Sequence, residues 1–247
     1  MITFDAVEAR PGPGFRLGPF SLSLAAGART ALVGESGCGK STLLKLVVGL
    51  VRPAAGNVLV NGEPVEPSRL QSIRRGIGYV IQEGGLFPHL TARGNVTLLA
   101  ECLGRDRVAI ADRLDSLCAL ARVDRQWLDR YPGELSGGQR SRVGIVRALM
   151  LDPPVLLLDE PFSALDQITR RELQFELRDL CVELRKTVLL VTHDLAEAAR
   201  VTERVVLLQA GTIRCAGTLA ELDAVDDPYV RAFLRAQDDW RRPEARA

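Results

Sequence analysis

The sequence predicts an α/β fold: a mainly parallel sheet with helices, preceded by an antiparallel β part and interrupted by an inserted α-helical lobe. Three observations predict it. Short strand-like runs alternate with helical patterns over much of the chain, which is how parallel sheets are built. Two of those runs, VLLLDE at Val155–Glu160 and TVLLVTH at Thr187–His193, have nearly continuous apolar stretches, as strands covered on both faces require. Between about Glu83 and Met150 the strands stop and the chain becomes rich in Leu, Ala, Arg and Asp. The expected division is 1–82 with 153–247 as the core and 83–152 as the inserted lobe.

Taken in order, Ile2–Val7, Phe20–Ala25 and Ala28–Gly34 read as strands, with turn residues RPGPG and AAG between them. Ser41–Val51 has a helical pattern and ends ahead of Pro53. Gly56–Val65 reads as a strand closed by an Asn61-Gly62 turn, and Gly76–Gln82 as a further strand. Thr91–Arg122 is mostly helical, and Gly137–Leu151 is a second strong helix with Val143, Val146, Leu149 and Met150 at helical spacing. Asp152–Pro154 ends it. Leu165–Lys186 is a long helix whose Leu173, Leu177, Leu180 and Leu184 lie along one face. Arg204–Gly217 reads as a hairpin turning at Ala210-Gly211, and Asp226–Ala236 as a short closing helix. The last ten residues, DDWRRPEARA, are expected to fray.

Composition narrows the function classes. With 47% hydrophobic and 26% charged residues the chain is of globular type, and a formal charge of +1 gives no field for a polyanion. No dense Lys/Arg run supplies a local one, so no nucleic-acid partner is expected. Five scattered cysteines without a C-x-x-C pair suggest reduced thiols rather than a disulfide framework or a zinc site. The N-terminal MITFDAVEAR lacks a signal-peptide pattern, and the longest apolar run, Leu43–Val51, is too short to span a bilayer and carries Lys45.

Gly34–Ser41 fits G-x-x-x-x-G-K-[ST] between an apolar strand and a helix, the context of a phosphate loop in a P-loop NTPase core. Across Gly34, Glu35, Ser36, Gly37, Cys38, Gly39, Lys40, Ser41 and Thr42, glycines let backbone N–H groups turn toward phosphate oxygens, and the following helix adds its positive end. Lys40 is expected on the β/γ-phosphates and Ser41 on Mg²⁺. A buried strand delivers Asp159 to its C-terminal end, where it can help hold Mg²⁺, and Glu160 follows as the residue to orient or deprotonate water. LSGGQ at Leu135–Gln139 offers a second helix start: Ser136 can cap it, and Gly137 and Gly138 allow backbone to approach an anion. Read alone, it is better explained as a simple helix cap.

GESGCGKST, Gln82, LSGGQ, VLLLDEP, SALD and VTH fall in the order and spacing of an ABC-transporter ATP-binding subunit, and the chain resembles that family over essentially its whole length. The resemblance implies ATP and Mg²⁺ as ligands, and an ATPase serving transport. Gln82 would join Ser41 and Asp159 on Mg²⁺ and sense the γ-phosphate; His193 would contact it. Lys40, Glu160 and His193 would form the catalytic set. Ser136, Gly137, Gly138 and Gln139 would meet the ATP of a second copy, and Asp166 would connect the two sites. A head-to-tail homodimer follows, working at the cytoplasmic face of the cell membrane with integral permease subunits and an extracytoplasmic substrate-binding protein.

Further fragments, GYVIQEGGLFPHLT and ALDQITR, look most like importers of osmoprotectants and other quaternary amines. Subunits of that kind often continue into a regulatory C-terminal extension, for which this chain stops early. An ATPase of another importer class (amino acid, anion or metal) or a non-transport relative stays open. Repair types would need a long coiled coil, translation types two cassettes, and a GTPase an N-K-x-D motif; none is present. The family's usual adenine-stacking tyrosine is missing from EARPGPGF, leaving Phe15 or Arg10. Gly84–Leu90, GGLFPHL, either packs within the lobe or forms a groove for a helix of the membrane subunit. Cys38, at a helix start, is expected either to ionise easily and react with alkylating reagents or merely to fit.

Overall fold

The computed structural model describes residues 1–12 and 14–237. The tail expected to fray, 238–247, lies outside the described residues. Contacts divide the chain into two compact units, Met1–Ile73 with the chain from Thr187 onward, and Arg74–Lys186.

The first unit opens with strands β1 (Ile2–Gly12), β2 (Phe15–Leu24) and β3 (Arg29–Gly34), helix α1 (Lys40–Val47), strands β4 (Ala55–Val60) and β5 (Glu63–Pro64), and helix α2 (Leu70–Arg75), which crosses the boundary. The second holds β6 (Ile77–Val80), α3 (Ala92–Cys102), α4 (Arg107–Leu120), α5 (Gly137–Leu149), β7 (Val155–Asp159) and α6 (Gln167–Glu183), with 3₁₀ turns at Gln82–Gly85, Arg125–Trp127 and Pro132–Glu134. The chain then completes the first unit with β8 (Thr187–Val191), α7 (Leu195–Val201), β9 (Arg204–Gln209), β10 (Thr212–Gly217), α8 (Leu219–Asp223) and α9 (Pro228–Ala236).

An antiparallel sheet, in the order β2-β1-β4-β5, forms one layer of the first unit. Period-2 alternation drives it: Ile2, Phe4, Leu17, Leu24, Val58 and Val60 are buried, and the Phe4 and Phe20 rings sit 5.6 Å apart. The β1–β2 hairpin runs further than RPGPG suggests, because both strands continue through the Pro/Gly stretch to Gly12 and from Phe15. The second sheet of this unit runs β10-β9-β3-β8. In it β3 is parallel to β8 and β9, and β9–β10 is the antiparallel hairpin expected at Ala210-Gly211. Strands β3, β8 and β9 are buried on both faces: Ala31–Val33, Val188–Val191 and Val205–Leu208 are all at most 2% exposed. In the second unit β6 and β7 are parallel, with Tyr79 opposite Leu157. Helix α5 passes so close to β6 that a Cβ at Gly78 would lie 2.4 Å from the Ala148 carbonyl oxygen.

The structure adds to or differs from the sequence reading in several helices. Helix α1 ends at Val47 rather than Val51, because the chain turns at Gly49 and leaves Leu50 65% exposed. The helical stretch Thr91–Arg122 is two helices, α3 capped by Thr91 and α4 capped by Asp106. Helices α2, α7 and α8, of 6, 7 and 5 residues, went unanticipated because fewer than two turns give no readable period. Among the described residues no helix is long and apolar enough to cross a membrane.

Candidate active site

The first unit carries the phosphate loop and His193. Strand β3 drives buried residues up to Gly34, where register with Leu208 of β9 brings backbone so close that a Cβ would lie 2.3 Å from the Leu208 oxygen. The loop then crosses Glu35, Ser36 and Gly37, all exposed, before Cys38 turns inward. Gly39, at φ 110, caps α1; a side chain there would be strained and would strike Leu17. Lys40 begins the helix and is only 6% exposed. Its ammonium donates to the carbonyls of Gly34 at 2.8 Å and Glu35 at 2.9 Å, so the loop wraps its own cation. The β9–β10 turn braces this from behind, since the Gly211 N–H donates to the Cys38 carbonyl at 3.0 Å. Ser41 and Thr42 are half-buried on the first turn of α1. Directly after β8, Thr192 is buried and His193 is exposed, and the Asp194 N–H donates to the Thr192 hydroxyl at 3.0 Å.

The second unit carries the acidic pair. Asp159 ends β7, half-buried, and the parallel register with β6 puts Tyr79 on the face it shares with Leu157 and Asp159. The Tyr79 hydroxyl donates to Asp159 Oδ2 at 3.4 Å. Burial, followed by the nearby Asp159 charge, pushes the Tyr79 phenol well above its ordinary range, so it stays a donor. Glu160 takes a left-handed backbone, φ 45, unusual for a residue with a side chain. The Ser163 N–H and hydroxyl both donate to the Glu160 carbonyl, at 3.2 and 3.0 Å, and hold this turn. Gln82 is exposed and opens the 3₁₀ turn after β6.

In the same unit the signature forms a capping box: the Ser136 hydroxyl accepts from the Gln139 N–H at 3.3 Å, and Gln139 Oε1 accepts from the Ser136 N–H at 2.9 Å. Ser136 is exposed and points this helix start to solvent. The two glycines have a packing reason of their own. A Cβ on Gly137 would lie 3.2 Å from the Ala164 oxygen, and one on Gly138 2.8 Å from Thr169 Cγ2. Asp166 caps α6, its Oδ1 accepting from the Ile168 and Thr169 N–H groups at 3.2 and 3.0 Å. Those backbone bonds, Thr169 first, hold its carboxyl below the usual range.

The structure also places the residues on which the sequence left two readings open. Phe15 lies against the phosphate loop, its ring 3.3 Å from where a Gly39 Cβ would stand, whereas Arg10 is turned onto Glu8 at 3.1 Å. Of the two readings of Cys38, the packed residue is favoured: it is 4% exposed, and burial pushes its pKa up, outweighing the opposing pull of Lys40. The Gly84–Leu90 loop exposes Phe87, 46%, while its backbone is pinned from inside. Asn95 accepts from the Phe87 N–H at 2.6 Å and donates to the Phe87, Leu90 and Thr91 carbonyls. Neither Asn95 nor Tyr79 was singled out from sequence. A polar residue four positions after a helix cap is the one trace Asn95 leaves.

A model of the family described as ABC transporter matches residues 17–163. The chain is 40% identical over 235 residues to the osmoprotectant import ATP-binding protein OsmV of Salmonella typhimurium, covering 94% of this chain and 62% of that one. It is 43% identical over 215 residues to the choline transport ATP-binding protein OpuBA of Bacillus subtilis, covering 87% and 56% respectively. It therefore spans about three-fifths of the length of these curated relatives. Its fold is similar to that of the ATP-binding cassette MJ0796 solved as a dimer in a post-hydrolysis state with ADP and Pi, with a TM-score of 0.78 and 32% identity over 89% of this chain and 99% of that one. On the family match, the shared motifs and this likeness of fold, the chain belongs to the ABC transporter family.

Proposed function

We propose that this chain is the ATP-hydrolysing subunit of a membrane importer, acting as a head-to-tail pair that closes on two ATP molecules. The observation that carries the reading is the phosphate loop, in which a buried Lys40 is wrapped by the Gly34 and Glu35 carbonyls at the start of α1. Lys40 exchanges those carbonyls for phosphate oxygens. Phe15, beside Gly39, faces the base in place of the missing tyrosine. Exposed Ser136 and the N–H groups of Gly137 and Gly138 reach the triphosphate held by the other copy, and Asp166 at the start of α6 links the two sites. Glu160, held in its left-handed turn, aligns the attacking water and takes its proton, and His193 steadies the γ-phosphate.

Mg²⁺ fits the donor set. Ser41, Asp159 and Gln82 offer a hydroxyl, a carboxylate and an amide oxygen, all hard ligands. When bound it would neutralise charge on the β- and γ-phosphates.

The names of OsmV and OpuBA support an osmoprotectant or other quaternary amine as cargo. The exposed Phe87 face, stiffened by Asn95, supports the reading that a short helix of a permease subunit docks there at the cytoplasmic face of the membrane, with a substrate-binding protein on the opposite, extracytoplasmic side. Glu160→Gln tests the chemistry: it should bind ATP, pair in light scattering, and lose about a hundredfold or more in turnover. A variant that stays monomeric with ATP overturns the pairing, and one with normal turnover removes Glu160 as the base. Reconstitution with the co-purifying membrane partner, followed by uptake of choline against sulfate, decides the cargo.

A further inference from the structure

We propose that Arg147 is a positioning residue for Gln82. It fastens the loop after Gln82 to helix α5, so that this loop and the helix start at Ser136 move as one piece. Arg147 lies in the last turn of α5. Its Nη1 donates to the Gly85 carbonyl at 2.7 Å and its Nη2 to the Gly84 carbonyl at 2.8 Å. A guanidinium fork suits two adjacent acceptors, and a lysine ammonium does not reproduce that geometry. The carbonyls present themselves in sequence because Gly84 and Gly85 both have positive φ, 77 and 54, where a side chain would be strained.

The loop also touches α5 backbone to backbone. A Cβ on Gly144 would lie 3.1 Å from Gly84 Cα, and one on Gly84 would lie 3.0 Å from the Arg140 oxygen. Arg140, Gly144 and Arg147 are spaced i, i+4, i+7, a single face of the helix. Burial pushes the Arg147 guanidinium below its ordinary value, so the two carbonyls hold a desolvated cation in place. Arg147 is eleven positions beyond Ser136, about 16 Å at 1.5 Å per residue, and a packed helix transmits displacement over that length with little bending. The segment that begins with Gln82 therefore cannot shift without carrying the far end of α5.

This role rests on the reading of Gln82 and Ser136 given above, and the test separates the two. In the full chain, Arg147→Met removes both hydrogen bonds and Arg147→Lys retains the charge but reaches one carbonyl. Amide hydrogen exchange over residues 82–90 should rise about tenfold in Arg147→Met and less in Arg147→Lys. ATP affinity should stay within about twofold while kcat falls about tenfold with KM unchanged. Unchanged exchange overturns the clamp. Faster exchange with kcat intact overturns its positioning role. Should Arg147→Met fail to fold, the same two readouts on Arg147→Lys decide. If the unaltered protein neither binds nor hydrolyses ATP, the functional reading fails while the exchange experiment still judges the clamp.

Discussion

Asp159 and its neighbour Tyr79 differ sharply in how they could be found. Asp159 stands at the end of an apolar run a fixed step before Glu160, so the strand pattern alone locates it. Tyr79 meets it only through the parallel register of β6 and β7, 80 positions away in the chain, and no spacing rule reveals such a partner. Arg147 and Asn95 escaped for a related reason: what they bind are backbone carbonyls, which carry no residue identity to read. Cys38 stayed divided for a different reason: a helix start suggests an ionised thiol, and the burial that opposes it appears only in three dimensions. Tyr79→Phe deletes a single oxygen and should leave the fold intact. Without the hydroxyl, Asp159 loses the hydrogen bond that Tyr79 donates to its Oδ2. The Mg²⁺ concentration needed for half-maximal binding of a fluorescent ATP analogue should rise about threefold to tenfold, with binding in EDTA unchanged. An unshifted midpoint removes Tyr79 from the orientation of Asp159.

Elements were legible in proportion to their length and to how local their causes are. The period of α5 and α6 and the apolar runs of β7 and β8 could be read directly, whereas the tie that anchors α4 could not. Arg113 of α4 donates to Asp152 Oδ1 at 2.8 Å, and Lys186, just past α6, donates to the same oxygen at 2.8 Å. The Lys186 hydrogen bond first, and the nearby cationic charges with it, hold the Asp152 carboxyl below its usual range. A depressed folded pKa contributes stability that is fully present above the unfolded value, about 3.9, and is lost as pH falls through the lower folded value. Asp152→Asn should therefore lower the melting temperature at pH 7 and narrow the gap to the parent as pH drops toward about 3. Parallel melting curves at every pH would show that the carboxylate contributes nothing. Asparagine tolerates the positive φ of 54 at this position, so the comparison isolates charge.

For the whole molecule, the family was legible because six separated motifs kept their order, while the proposed cargo rests on resemblance. The pairing proposal makes a demand on intact protein that no single-site variant can meet. Lys40→Ala and Ser136→Arg should each abolish hydrolysis, the first by emptying the grip of one copy and the second by blocking exposed Ser136. Mixed together, they should recover part of the activity, because half the sites in mixed pairs join an intact lysine to an intact serine. A mixture no more active than its components would sink the head-to-tail arrangement.

Cys38, enclosed at 4% exposure within the loop that wraps Lys40, also provides a stopwatch. A thiol reagent can reach that sulfur only during moments when the loop springs apart, while exposed Cys102 on α3 reacts throughout and serves as the internal reference. The ratio of the two labelling rates therefore counts openings of the grip itself, and any occupant that seals the grip should slow one clock and leave the other running.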